Sequence, residues 1–307
     1  MRNYKHIVML MLFVVTLKSQ QLPQYSQYML NELAINPAVA GKDDFSEVRT
    51  SSRLQWTGIT DAPRTYMLNV HGPIEKKNMG LGMSMFTDIV GPTRRTGLNF
   101  TYAYKIKLKE DVHLSMGISA GMLQYGIDGN KIRMREEGDE QLQMKYQTIY
   151  LPDFGMGVYL YSKKKYYIGI SLPQINQSQI PLYPTAYKNS RLATQLNING
   201  AYTYSINADF SVEPSFLVKY ERPAPMKIDL GVRAIYKDQI WAGLLYRHHD
   251  AVSCLIGFKY QDYLLIGYSY DFTTVKTLSA VAGSTHEFML GIRFSRKQAA
   301  TWEKQAE

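Results

Sequence analysis

Six histidines are scattered through the chain, and the one cluster they form is His248-His249-Asp250. Two imidazoles and a carboxylate are metal-ligand types, but two ligands plus an aspartate on one tight turn are a weak zinc signature, and a solvated turn accounts for the same residues. Carboxylates gather at Glu136-Glu137-Gly138-Asp139-Glu140, beside Lys131, Arg133 and Arg135. Their spacing fits no calcium loop, and the interspersed cations suit a solvated mixed-charge loop. Nucleophilic hydrolysis needs a serine or aspartate with a histidine base held by an acid, and no such grouping stands out. The single Cys254 rules out an internal disulfide framework and a cysteine zinc site, and reads as one more apolar side chain beside Val252, Ile256 and Phe258. Spaced glycines occur in 80–91 (GLGMSMFTDIVG), but that stretch reads as a strand and precedes no helix, so it is no nucleotide loop. The sequence therefore assigns no catalytic, cofactor or metal residue, and the chain is read as non-enzymatic.

What such residues would be mounted on is clear from the periodicity. Past its first twenty residues the chain repeats, about fourteen times, a run of roughly ten residues alternating apolar and polar and then a turn. In 209–220, Phe210, Val212, Pro214, Phe216, Val218 and Tyr220 share one face, and Ser211, Glu213, Ser215, Leu217 and Lys219 the other. Successive strand side chains point to opposite faces, so each run has one greasy and one wet side. Strand length, an even strand count, aromatic ends and a charged polar face together predict a transmembrane antiparallel β-barrel of about 14 strands, in which lipid replaces the core. The strands are placed at 45–55, 64–71, 79–87, 95–108, 113–125, 153–161, 166–172, 191–204, 209–220, 226–236, 240–247, 251–260, 263–272 and 286–294.

The connections alternate between long or irregular and mostly tight, an asymmetry that puts the short turns and both chain ends in the periplasm. Tyr102, Tyr104, Tyr202, Tyr204, Tyr236, Tyr260 and Phe294 then fall at the periplasmic edge of the apolar band, and Tyr220, Tyr246, Tyr268, Tyr270 and Phe272 at the outer edge. Two aromatic belts are what membrane interfaces select. Lys105, Lys107, Glu213, Lys219, Asp229, Arg233, Arg247, Lys259, Asp271, Glu287 and Arg293 occupy the opposite face. In lipid each Arg or Lys would cost about 2–4 kcal/mol at the midplane, so this face must turn inward.

Ahead of the strands, Arg2, Lys5 and His6 precede an apolar run at 7–17, the layout of a signal peptide over 1–20. Residues 295–307 form a periplasmic tail. The net charge of +9 is spread over turns and wet strand faces, with no basic helix or aromatic-interleaved tract, so nucleic acid is not a partner. Segment 21–44 holds Tyr25, Tyr28, Met29, Leu30, Leu33 and Ile35, too apolar for a free tail, with Asn36-Pro37 and Gly41 stopping any helix. It is expected to fold against or into the periplasmic mouth as a plug. Lys76, Lys77, Lys163, Lys164 and Lys165 form a basic periplasmic rim that either steers an acidic partner or merely flanks the lipid band.

The residues Gln24, Ser26, Gln27, Tyr28, Asn36, Pro37, Ala38, Ala40 and Gly41, followed by Arg53, Gln55, Trp56, Gly58, Ala62, Pro63, Thr65, His71, Gly72 and Pro73, resemble the PorP/SprF family of Bacteroidetes outer-membrane proteins. Val39 departs from the more usual aromatic, and a tail follows Phe294. The resemblance implies an accessory of type IX secretion and gliding that helps a surface protein, often an adhesin, reach or stay on the cell surface. Through one branch of the family it also implies a periplasmic, peptidoglycan-associated partner, and it brings no catalytic residues with it. On physical grounds, Gly58 and Pro63 shape the first outer loop, Gly72-Pro73 ends the second strand, and Trp56 is either an interface anchor or a lumen-facing stack. The alternative is a transport channel for small or hydrophobic solutes, because fatty-acid transporters also pair about fourteen strands with an N-terminal hatch.

Overall fold

The computed structural model describes residues 22–74, 77–131, 146–163, 165–181, 191–275 and 283–294. The expected signal peptide, the carboxylate group 136–140, Lys76, Lys164 and the tail 295–307 lie outside the described residues.

Among these, fourteen strands close into one antiparallel barrel. They are β1 (Ser46–Leu54), β2 (Arg64–Ile74), β3 (Met79–Val90), β4 (Thr93–Lys107), β5 (Val112–Asp128), β6 (Tyr146–Ser162) and β7 (Tyr166–Leu172). β8 runs Gln195–Tyr202 and resumes at Tyr204–Ser205, both parts pairing with β9 (Phe210–Glu221). β10 (Lys227–Tyr236), β11 (Ile240–Arg247), β12 (Ala251–Tyr260), β13 (Leu264–Thr273) and β14 (Thr285–Phe294) complete the wall. Each strand pairs with the next, and β1 closes on β14 from Ser46↔Phe294 to Leu54↔His286. Closure leaves no sheet edge, which hydrocarbon would not tolerate.

Burial alternates as the sequence periodicity requires. Along β9, Glu213, Ser215, Leu217, Lys219 and Glu221 are buried inside, while Phe210, Pro214 and Tyr220 are exposed outside. Phe100, Ile118, Ile168, Leu230, Leu244 and Ile256 face outward on other strands, and Cys254 shares that face. Tyr102, Tyr104, Tyr202, Tyr204, Tyr236, Tyr260 and Phe294 are exposed near one end of their strands, and Tyr220, Tyr246 and Phe272 near the other. An arginine placed on the outer face at Leu244→Arg is therefore expected to destabilise the barrel by about 2–4 kcal/mol, against a much smaller loss for Leu244→Ala. Urea unfolding in lipid vesicles measures the difference.

Four stretches differ from the sequence expectation. Gly72 and Pro73 do not end β2, which pairs through both of them as far as Ile74↔Met79. β5 and β6 extend well beyond 125 and below 153, pairing as far as Asp128↔Tyr146. Tyr125 and Leu151 on this extension, with Ile127 and Ile149 packed alongside, turn into an apolar cluster inside the barrel, so the strands keep a reason to pair above the membrane. The irregular connection expected at 88–94 is a tight turn between Val90 and Thr93, made possible by Gly91 at φ +56. β8 begins at Gln195 and not at 191, because Leu192 folds into the same inner cluster. The strand ends joined by the four longest connections, β1–β2, β5–β6, β7–β8 and β13–β14, all lie at one mouth, and the connections at the opposite mouth are uniformly short. The first mouth is the outer one by this asymmetry.

Candidate functional site in the barrel lumen

Residues 22–45 run inside the barrel from one mouth to the other. Their backbone is built from short turns: Asn31 and Asn36 each precede a single 3-10 turn, Glu32–Ala34 and Pro37–Val39. The Asn36 carboxamide oxygen accepts the Ala38 N–H at 2.9 Å, with Pro37 just inside the turn where its missing N–H costs nothing. The other end of the same amide donates to the carbonyls of Val158 at 3.0 Å and Ile170 at 3.2 Å, on β6 and β7. The wall comes this close because it presents glycines. A Cβ on Gly117 would collide with the Ala38 backbone, and one on Gly157 with the Asn36 amide.

Nearer the outer mouth, Ser26 and Gln27 sit in a buried charge cluster. The Ser26 and Gln27 N–H groups donate to Glu287 at 2.7 and 3.2 Å. The Ser26 hydroxyl donates to Asp271 at 2.9 Å and accepts from Arg53 at 2.7 Å and Arg247 at 3.2 Å. Arg53 also pairs with Asp271 at 2.7 Å and Glu287 at 3.1 Å, and Arg247 with Asp229 and Asp250. Arg53 and Arg247 are both 1 % exposed and Glu287 0 % exposed, so these charges hold one another with almost no help from water. The cluster joins β1, β11, β13 and β14 to the segment.

Around it lies an apolar layer. Tyr25, Tyr28, Met29 and Ile35 of the segment pack with the inward-facing Leu123, Leu217, Leu245 and Leu255. The Tyr28 hydroxyl reaches Ser215 at 3.2 Å, and Asn69 of β2 donates to the Asn31 side chain at 2.6 Å. Burying each leucine is worth about 1.5–3 kcal/mol relative to exposure, a gain that a water-filled lumen would forfeit.

The segment leaves at the periplasmic mouth. Gly41, at φ +66, packs where β2 and β3 turn; its N–H donates to His71 Nδ1 at 3.4 Å, and a Cβ on it would strike Gly80. Lys42 pairs with Glu32 at 2.7 Å, the Tyr159 hydroxyl donates to the same carboxylate, and Tyr161 donates to the Lys42 carbonyl at 3.2 Å. Asp44 meets Lys163 at 2.8 Å, and this hydrogen bond holds the Asp44 carboxyl below its usual range against a smaller opposing effect of burial. At the opposite extreme, the Gln24 amide lies between Asp250 and Lys227. There Leu22, Pro23 and Gln24 line a cavity of about 680 Å³ with Trp56, His248 and His249.

The residues singled out from sequence thus fall into groups. Ser26, Gln27, Tyr28 and Arg53 meet in or beside the charge cluster, while Asn36, Pro37, Ala38, Gly41, His71, Gly72 and Pro73 lie along the lower lumen and its mouth. Trp56, at φ 49, and Pro63 line the outer cavity, so Trp56 is on the lumen side and no lipid anchor. Gly58 is exposed in the outer loop against Gly283. On the rim, Lys77 and Lys165 are exposed and Lys163 is tied to Asp44. Sequence reasoning placed Arg247, Asp271 and Glu287 on the inward face and missed that they hold the segment. The available signal was Leu217, an apolar residue on an otherwise wet face. Among the described residues, no group of three His, Cys, Asp or Glu side chains is arranged to hold a metal; the His248 and His249 rings lie against each other, tilted by 56° with centres 3.8 Å apart.

A closed fourteen-stranded wall with a lipid-facing apolar band and a charged interior defines an outer-membrane β-barrel. Solved barrels share this architecture: the toluene transporter TbuX of Ralstonia pickettii aligns with TM-score 0.54 at 10% identity over 86% of this chain and 93% of its own. A deletion mutant of TodX, a monoaromatic hydrocarbon channel, aligns with TM-score 0.53 at 9% identity over 86% and 94%. At these identities the likeness concerns the fold alone. No curated protein matches the sequence. The family model described as type IX secretion system membrane protein PorP/SprF matches residues 17–292, and the chain belongs to that family. It is accordingly an outer-membrane component of type IX secretion.

Proposed function

We propose that this barrel is an accessory of the type IX secretion or gliding machinery that assists export or surface anchoring of a cognate cargo, adhesin-like in kind, through protein–protein contacts. The observation that carries this reading is a family match over residues 17–292 in a barrel whose lumen is threaded by its own segment. A barrel filled in this way suits docking better than conduction, and residues 22–45 act as its plug. On the periplasmic side, exposed Lys77 and Lys165 stand beside the Asp44–Lys163 pair and would steer an acidic face of a periplasmic secretion or peptidoglycan-associated component. No catalytic step is assigned to the protein.

The test is deletion. Without this protein, the cognate surface protein should fall at least tenfold in protease-shaved surface fractions and accumulate inside the cell or in the medium. An unchanged surface complement would overturn the reading. A second reading, a channel for small or hydrophobic solutes, is favoured by the outer cavity of about 680 Å³ and by an interior apolar cluster below it. Planar-bilayer conductance and solute uptake separate the two: the docking reading expects a nearly silent barrel and no uptake defect in the deletion strain.

A further inference from the structure

The segment does not enter and leave at the same mouth. Its carboxyl-terminal part is fixed at the short-turn end, where Asp44 meets Lys163 on the β6–β7 turn. Its amino-terminal part is fixed at the long-loop end, where Gln24 meets Asp250 of the β11–β12 turn. Ser26, Tyr28, Asn36 and Gly41 mark successive levels between them, on wall residues drawn from β14, β9, β6 and β2. Leu22, Pro23 and Gln24 consequently line the outer cavity, together with Trp56, Lys227 and His248.

We infer that the plug is part of an outward-facing receptor: its residues 22–24 reach the outer mouth through the lumen and line a cavity that takes an extended peptide of the exported partner. The volume, about 680 Å³, lies within the range of ligand pockets, roughly 300–1,000 Å³. The lining decides the chemistry. Trp56, Leu22 and Met226 offer apolar contact, while Arg95 with Asp88 and Lys227 with Asp250 set both signs of charge around the same space. A hydrocarbon would strip water from those groups and return no hydrogen bond, whereas a peptide brings donors, acceptors and side chains of both kinds. The cavity lies at the outer mouth, the side from which an exported chain would arrive. The identity of the occupant rests on the proposed function; the path of the segment does not.

The experiment uses full-length protein with Cys254→Ser, carrying either Gln24→Cys or Asp44→Cys, with heat-modifiable mobility to confirm a folded barrel. A membrane-impermeant sulfonated maleimide is added to intact cells and to cells with a permeabilised outer membrane. Gln24→Cys should label on intact cells, and Asp44→Cys only after permeabilisation. The reverse pattern, or a Gln24→Cys that labels in neither state, overturns the path. Labelling of Gln24→Cys is then compared between exporting cells and cells whose type IX translocon is disabled. Occupancy should slow it at least tenfold in exporting cells. Equal rates would remove the peptide occupant while leaving the path standing, and neither outcome depends on whether the deletion strain loses surface protein.

Discussion

Replacing Arg53 by alanine is expected to free residues 22–45 from the wall and to cost the barrel about 3–5 kcal/mol, because Glu287 would be left buried without its paired cation and Asp271 with only Arg247, at 3.6 Å. Arg53 binds both carboxylates and the Ser26 hydroxyl at once, so its loss undoes the only place where β1, β13, β14 and the segment are tied by one side chain among the described residues. Limited proteolysis reads the first effect: cleavage within 22–45 should become rapid while the strands stay resistant. Urea unfolding in vesicles reads the second. Arg53→Met combined with Asp271→Asn and Glu287→Gln should recover much of the stability, since neutral groups bear burial better than orphaned charges. If Arg53→Ala left the segment as protected as in the parent protein, the charge cluster would not be what holds it.

Enlarging Gly117 to leucine is expected to convert the barrel from nearly silent to conducting. The added side chain would project from β5 into the space now held by the backbone of Ala38, and backbone cannot swing aside as a flexible side chain can. The wall is a closed hydrogen-bonded ladder, so the segment is the part that yields. Overpacking of this kind typically costs about 1–3 kcal/mol, and it falls on residues 36–41, which Gly117 faces. Planar-bilayer recordings should show stepwise conductance for Gly117→Leu at protein concentrations where the parent protein gives almost none. A silent Gly117→Leu barrel with normal heat-modifiable mobility would mean that the lumen is closed by something other than residues 36–41.

Both predictions turn on contacts between distant parts of the chain, and the two differ in how visible they were beforehand. That Gly117, Gly121, Gly155 and Gly157 share the wet face of β5 and β6 is legible from alternation alone. Which of them touches Ala38 is not, because register around a closed ring is set by fourteen pairings together. Arg53 and Ser26 stood out as motif residues, but 218 positions separate Arg53 from Asp271, and no local pattern links them.

By itself the sequence determined the wall. Alternation with period two, belts of tyrosine and phenylalanine, and the long-and-short rhythm of turns are local properties, each enforced by lipid on one face and water or charge on the other. They were sufficient for strand number, closure and the outward face. Tertiary structure decided what fills the barrel: the depth to which residues 22–45 reach, the mouth at which Gln24 lies, the choice of lumen for Trp56, and the five-residue tie of Ser26, Arg53, Arg247, Asp271 and Glu287. Those are long-range contacts made by an irregular segment with no periodicity of its own, and they exist only once the ring has closed around it.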